Sequence, residues 1–160
     1  FDGTDSGEDA VALGLLLARA TRAVPLVAVV HPQEYPIGVG RVDAEWVAYM
    51  HEQAEQLLGR ARRLLGEEAG AEFREVSAPS ESRGLHELAE QEQAELVVVG
   101  SSHRGPIGRT YPGSTGDRLL QGSACPVAVA PRGLRESPPE RLGTIAVAYL
   151  DGVRPSDART

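Results

Sequence analysis

The chain has 160 residues, with 23 acidic against 16 basic side chains and a formal net charge of −7. That balance, with no basic run, excludes a nucleic-acid or anionic-membrane surface, and no apolar run reaches the length of a membrane span. The single cysteine, Cys125, excludes an internal disulfide and a multi-cysteine metal site and suits a reducing interior.

In chain order, Phe1 to Ser6 reads as the exit of a strand whose body lies before residue 1. Ser6 and Asp9 have capping-box spacing, which predicts a helix from about Gly7 to Thr21 with Ala10, Leu13, Leu17 and Ala20 on its inward stripe and Leu16 beside it. Pro25 to Val30 is a buried strand. His31 to Val42 is a long loop with Pro32, Pro36, Gly38 and Gly40, the kind of segment that often covers a site. Asp43 is placed to cap a helix reaching about Glu68, with Trp46, Val47, Met50, Ala54, Leu57, Leu58, Ala61, Leu64 and Leu65 facing inward. Glu72 to Ser77 alternates as a strand near a sheet edge, and Glu81 to Gln93 is a third helix.

Leu96 to Val99 has no polar alternation and is read as a strand buried on both faces. Gly100 ends it, and a loop with Gly105, Pro106, Gly108, Pro112 and Gly113 follows. Ser114 is the expected cap of a short helix running to Gln121. A strand, a glycine-rich loop and a helix N-terminus make a place for an anion, because free N–H groups converge where the backbone can be approached closely. Cys125 to Ala130 is a further strand, closed by Pro131, and the polar stretch with Pro138 and Pro139 reads as a linker. Thr144 to Leu150 is one more strand, and its Asp151-Gly152 ending echoes Asp2-Gly3. This is read as the first strand of a second copy that stops at Thr160. Alternating strands and helices imply a parallel, doubly wound α/β sheet, in which ligands bind outside the carboxyl ends of the strands. Asp2 and Gly100 both fall at such ends.

The stretches FDGTDSGEDA, AELVVVGSSHRG, PGST and CPVAVAP resemble the universal stress protein family, over roughly residues 1–131. The resemblance implies a five-stranded parallel sheet with helices on both faces, Rossmann-like and similar to the adenine nucleotide alpha hydrolase fold. It divides the chain into a domain at 1–131, a linker at 132–143 and the start of a second, truncated copy at 144–160. The family's nucleotide-binding members carry Gly, two residues, Gly, nine residues, Gly, then Ser or Thr. Gly100, Gly113 and Ser114 fall in register with that pattern, while His103 stands where its second glycine would be.

By that resemblance the ligand is an adenine nucleotide, ATP with or without Mg2+, acting as a regulatory ligand in a stress response. Asp2 would meet the adenosine part, and Ala28, Val29 and Val30 would flank the adenine. Gly100 would pack against the ribose, and Gly113, Ser114 and Thr115 would hold the phosphates. His103 would either donate to a phosphate or close the site; Arg104 would neutralise charge and Gly105 would supply flexibility. The alternative left open is a dimerising stress protein whose site His103 has altered. Homodimerisation or tandem pairing and a cytoplasmic location are expected.

No nucleophile elbow or placed base is visible, so catalysis beyond weak ATP hydrolysis is not expected. His31, His51 and His86 have no ligand spacing, so no metal site is expected. A parallel sheet lacking a central strand would leave two rows of backbone groups unpaired. Thr144 to Leu150 has the composition to fill that slot, and a linker able to extend roughly 40 Å could carry it there.

Overall fold

In the computed structural model, residues 1–33, 42–66, 70–102 and 110–144 are described. Helix α1, Asp5–Thr21, starts two residues earlier than its sequence pattern suggests. Thr4 caps it, the Thr4 Oγ1 accepting from the Gly7 N–H at 3.1 Å, so Ser6 and Asp9 form no capping box. The inward residues of α1 are Val11, Leu15, Leu16 and Ala18, whereas Ala20 is exposed. Ala10, Leu13 and Leu17 are half-buried as well, because α1 is packed on more than one side. Val11 and Leu15 join the cluster around Val27, while the start of the helix lies against the end of the strand Val97–Gly100.

Strand β1, Leu26–Pro32, pairs in parallel with β2, Glu72–Ala78, Val29 standing opposite Glu75. Both faces of this pair are covered. On one lies α2, Val42–Leu65, whose buried residues Ala54, Leu58, Ala61 and Leu65 pack on Val27, Val29 and Phe73. The spacing of those four positions is that of a single helical stripe. On the other lies α3, Glu81–Gln91, capped by Ser80. Its Gly84 sits so close to the pair that an added Cβ would be 2.7 Å from Val30 Cγ1 and 2.9 Å from Ala78 Cβ.

Trp46, Val47 and Leu64, expected in the core, are exposed instead. Leu64, in the last turn of α2, lies off the stripe that buries Ala61 and Leu65, and for Trp46 and Val47 the cause is length. A helix of 24 residues runs about 36 Å, whereas strands of seven residues run about 23 Å, so the first turns of α2 have no sheet beneath them.

Strand β3, Val97–Gly100, pairs in parallel with β4, Val127–Ala130, and α4, Ser114–Gly122, lies between them in sequence. Their own core is Ala89, Val97, Val99 and Leu119, with Leu85 and Cys125 packed against it. Cys125 is therefore a half-buried core thiol. The fold is α/β with parallel strands and helices on both faces. The described residues hold four of the five expected strands, as the two hydrogen-bonded pairs β1–β2 and β3–β4. The fifth was assigned to residues before Phe1 or to Thr144–Leu150, and residues 145–150 lie outside the described residues. The Phe1 amine donates to the Ala28 carbonyl, which brings the start of the chain alongside β1.

Part of the polar stretch after β4 is fastened to α1. It makes a 3₁₀ turn, Leu134–Glu136, entered through Gly133 with φ 83°, a left-handed conformation that favours glycine. Asp9, 1% exposed, accepts from the Gly133 N–H at 2.9 Å and the Arg135 N–H at 2.8 Å. The Arg135 guanidinium lies 2.9 Å from Asp5 and 3.5 Å from Glu8. Among the described residues, no helix is long and apolar enough to cross a membrane.

Candidate functional site

At the carboxyl end of β3 the chain is clamped. Ser101 bridges antiparallel to Pro112, and the Ser102 N–H donates to the Tyr111 carbonyl at 2.7 Å. These contacts hold both ends of the loop that contains His103, Arg104 and Gly105, three candidate residues that lie outside the described residues. Immediately after the clamp comes α4. Its cap is Gly113, in an extended conformation with φ −78° and ψ −176°, and Ser114 is the first helical residue rather than the cap. No described side chain caps this end. The N–H groups of Ser114, Thr115 and Gly116 belong to the first turn, where a helix offers donors without intrahelical partners. The Asp117 N–H is the first to bond back, to the Gly113 carbonyl at 2.8 Å. Among the described residues, a Cβ on Gly113 would find only Ser102 Cβ within 4 Å, at 4.0 Å, so these leave room beside the glycine.

Gly100 has the opposite surroundings. A Cβ there would stand 2.1 Å from Ser6 Oγ and 2.2 Å from the Ser6 carbonyl oxygen. Ser6 Oγ also donates to the Ser101 carbonyl at 2.7 Å, locking the first turn of α1 onto the strand. The glycine is accounted for by this helix contact without any ribose. Asp2 is exposed and builds a turn, its Oδ1 accepting from the Thr4 N–H at 3.0 Å and the Thr4 hydroxyl at 2.7 Å. Ala28 and Val29 are core residues, 7% and 3% exposed, and Val30 faces Gly84 of α3.

One residue of this crevice was not singled out from the sequence. The Thr115 hydroxyl donates to Glu81 Oε2 at 2.7 Å, which places a carboxylate beside the start of α4. The backbone nitrogen of Phe1 lies near the carboxylates of Asp2 and Glu81. Phe1, Asp2, Glu81 and Thr115 thus share one end of the sheet. The signal for Glu81 was available: it follows the Ser80 cap just after β2, at the same carboxyl end as Gly100.

A second group lies on the α2 face. His31 of β1 and His51 of α2 both approach the carboxylate of Glu75 on β2, and their rings meet edge to face at 5.4 Å. Sequence spacing gave no reason to join these residues, because 20 and 24 positions separate His31, His51 and Glu75 and only the packing of α2 across two strands unites them.

The sequence profile of the Universal stress protein family matches residues 1–131. The echo of the opening segment at residues 144–160 lies outside that match. A universal stress protein of Mycobacterium tuberculosis is 35% identical over 133 residues, covering 81% of this chain and 46% of that protein. The chain therefore spans about half the length of the curated relatives it matches. A solved universal stress protein family structure from Burkholderia pseudomallei gives a TM-score of 0.60 at 23% identity, covering 82% of this chain and 91% of that one. A universal stress protein solved in complex with cAMP gives 0.53 at 26% identity, covering 83% and 93%.

Proposed function

Because the chain belongs to the universal stress protein family, we propose that it binds an adenine nucleotide as a regulatory ligand, with the phosphates at the N-terminus of α4. The observation that carries this reading is the open, uncapped start of α4 at Gly113, held against the carboxyl end of β3 by the Ser101–Pro112 bridge. Backbone N–H groups and the positive end of the helix dipole suit a phosphate there. The similar structure that holds cAMP supports an adenine nucleotide as the class. His103 and Arg104, on the clamped loop, are the side chains that would meet the phosphates, and ATP is the proposed physiological form. Asp2 and Glu81 on the rim are the carboxylates toward which a phosphate-bound Mg2+ would turn. The protein is read as a binding module of the cell interior that pairs with a second copy or domain, rather than as an enzyme.

One observation favours a second reading. The Glu81 carboxylate already accepts from Thr115 where the phosphates would sit, as suits a dimerising module that holds no nucleotide. Isothermal titration with ATP, AMP and cAMP separates the two. Binding by the wild-type chain is expected, with at least a tenfold loss in Gly113→Val, whose branched side chain enters the phosphate path while its Cβ stays 4.0 Å from Ser102 Cβ. Unchanged affinity in that variant would move the phosphates elsewhere. No heat with any of the three, alongside a dimer in light scattering, would establish the second reading. His103→Gly strengthens binding if the imidazole closes the loop and weakens it if the imidazole donates.

A further inference from the structure

The apolar faces that join α2 to the β1–β2 pair all end alike. On β1 the residues facing α2 run Val27, Val29, His31, and on β2 they run Phe73, Glu75. On α2 the inward stripe, followed toward its N-terminus, runs Leu65, Ala61, Leu58, Ala54, His51. Each stripe keeps its period of two or of three to four residues, and at one end of the core each passes from an apolar side chain to a metal-ligating one. The three terminal residues meet.

Their geometry is that of donors gathered around a point. His31 Nε2 lies 2.9 Å from Glu75 Oε1, yet it is buried and not aligned for a hydrogen bond to that oxygen. His51 Nδ1 approaches the same oxygen from α2. The nitrogens and the carboxylate oxygen all lie within 4.8 Å of one another. Tetrahedral coordination with bonds of about 2.0–2.1 Å puts ligand atoms roughly 3.3 Å apart, so small side-chain rotations suffice to admit an ion. His31 Nδ1 lies 3.2 Å from the Pro32 carbonyl, which can only accept, so the tautomer protonated at Nδ1 satisfies that carbonyl and leaves Nε2 to ligate. Such a bond from the far ring nitrogen to a carbonyl is what orients and tunes a ligating histidine. Exposure is graded as a reachable site requires: His31 is 9% exposed, Glu75 21% and His51 55%.

We propose that His31 Nε2, His51 Nδ1 and the Glu75 carboxylate bind one divalent first-row metal ion, zinc being the ion that this donor set fits best. Two imidazoles and one carboxylate match the borderline softness of Zn2+, and three protein ligands leave a fourth position for water. The ion would tie α2 to both strands of the pair. The site is separate from the α4 crevice and stands whether or not a nucleotide binds there.

The test is titration of the full chain with zinc chloride by calorimetry, repeated with Co2+ as a visible-absorption probe of coordination. One equivalent of Zn2+ and the intense bands of tetrahedral Co2+ are expected. His51→Ala and Glu75→Gln each should lower affinity at least tenfold and remove the bands. His86→Ala removes a histidine paired only with Glu90 on its own helix, at 3.6 Å, and should change neither. Zn2+ should raise the melting temperature of the wild type and of His86→Ala but not of His51→Ala. His51 is more than half exposed, so its substitution leaves folding intact, as far-ultraviolet circular dichroism would verify. Absence of stoichiometric uptake by the wild type, or equal uptake by the His51→Ala and Glu75→Gln variants, overturns the proposal.

Discussion

The two strand pairs hold their neighbours by different means. Around β1–β2, seven-residue strands are covered on one side by a long helix through side chains: Ala54, Leu58, Ala61 and Leu65 against Val27, Val29 and Phe73. Around β3–β4, four-residue strands are approached by backbone: the first turn of α1 against Gly100 and the first turn of α4 against Pro112 and Val99. The first arrangement leaves side chains at the end of its stripes, and those are two imidazoles and a carboxylate. The second leaves backbone N–H groups, gathered at the start of α4. The proposed cation site is therefore made of side chains and the proposed phosphate site of backbone, and the difference follows from which part of the chain makes the packing contact.

The sharpest way to break this comparison is to put a side chain where the backbone packs. In Gly100→Val the new Cβ overlaps Ser6 Oγ and the Ser6 carbonyl oxygen, at 2.1 and 2.2 Å. Backbone cannot yield as a flexible side-chain tip does, so the cost lies at or above the upper end for over-packing, about 3 kcal/mol or more. Against a total stability of about 5–15 kcal/mol, much of the margin is lost. Urea denaturation should show a large fall in midpoint or no cooperative transition. A fall below about 1 kcal/mol would mean that α1 does not rest on β3.

The same difference decides what was legible in the sequence. The α4 crevice could be read because backbone sites announce themselves by glycine and proline at fixed spacing, and Gly113 stands where that reading put it. The family resemblance puts Gly100 against a ribose, and glycine spacing alone does not show that Gly100 also carries the first turn of α1. The parallel α/β class and strands at Pro25 to Val30, Glu72 to Ser77, Leu96 to Val99 and Cys125 to Ala130 follow from apolar runs and their period, whereas His31 and Pro32, read as loop, prolong the first strand to Pro32. Period alone does not say where a sheet ends, so Trp46 and Val47 are expected in the core although the helix outruns its strands there. Asp9 was placed in a local cap because its partners, Gly133 and Arg135, are more than 120 residues away. The histidine and glutamate group was invisible for the same reason. None of its members has a neighbour in sequence that marks it, although each continues an apolar stripe.

A smaller effect probes the charge at the anion end. Glu81→Gln keeps an acceptor for the Thr115 hydroxyl and removes a negative charge beside the start of α4. A charge at a helix terminus is worth about 0.3–1 kcal/mol at the surface, so affinity for the nucleotide without Mg2+ should rise about two- to fivefold at low salt and less at high salt. The substitution also removes an acidic residue from the first turn of α3, so stability should fall by a few tenths of a kcal/mol. Calorimetric titration at two salt concentrations checks both the sign and the screening. Unchanged affinity at low salt would place the phosphates away from Glu81.

The mildest test uses one substitution at two helical glycines, one in each region. An interior helix glycine costs about 0.5–1 kcal/mol relative to alanine, because its backbone loses more freedom on folding. On α2, a Cβ at Gly59 would meet only the guanidinium tip of Arg63, at 3.6 Å, an ordinary contact with a flexible group. Gly59→Ala should therefore recover most of that cost, raising stability by about 0.5 kcal/mol or more. On α4, a Cβ at Gly116 would stand 2.9 Å from Pro112 Cβ and 3.4 Å from Val99 Cγ2. Pro112 is held by its bridge to Ser101 and cannot swing aside, so the propensity gain is offset and exceeded. Gly116→Ala should lower stability by about 1 kcal/mol. Opposite signs in paired denaturation curves are what side-chain packing on α2 and backbone packing at α4 require. The same sign at both positions would mean that the two regions are built alike after all.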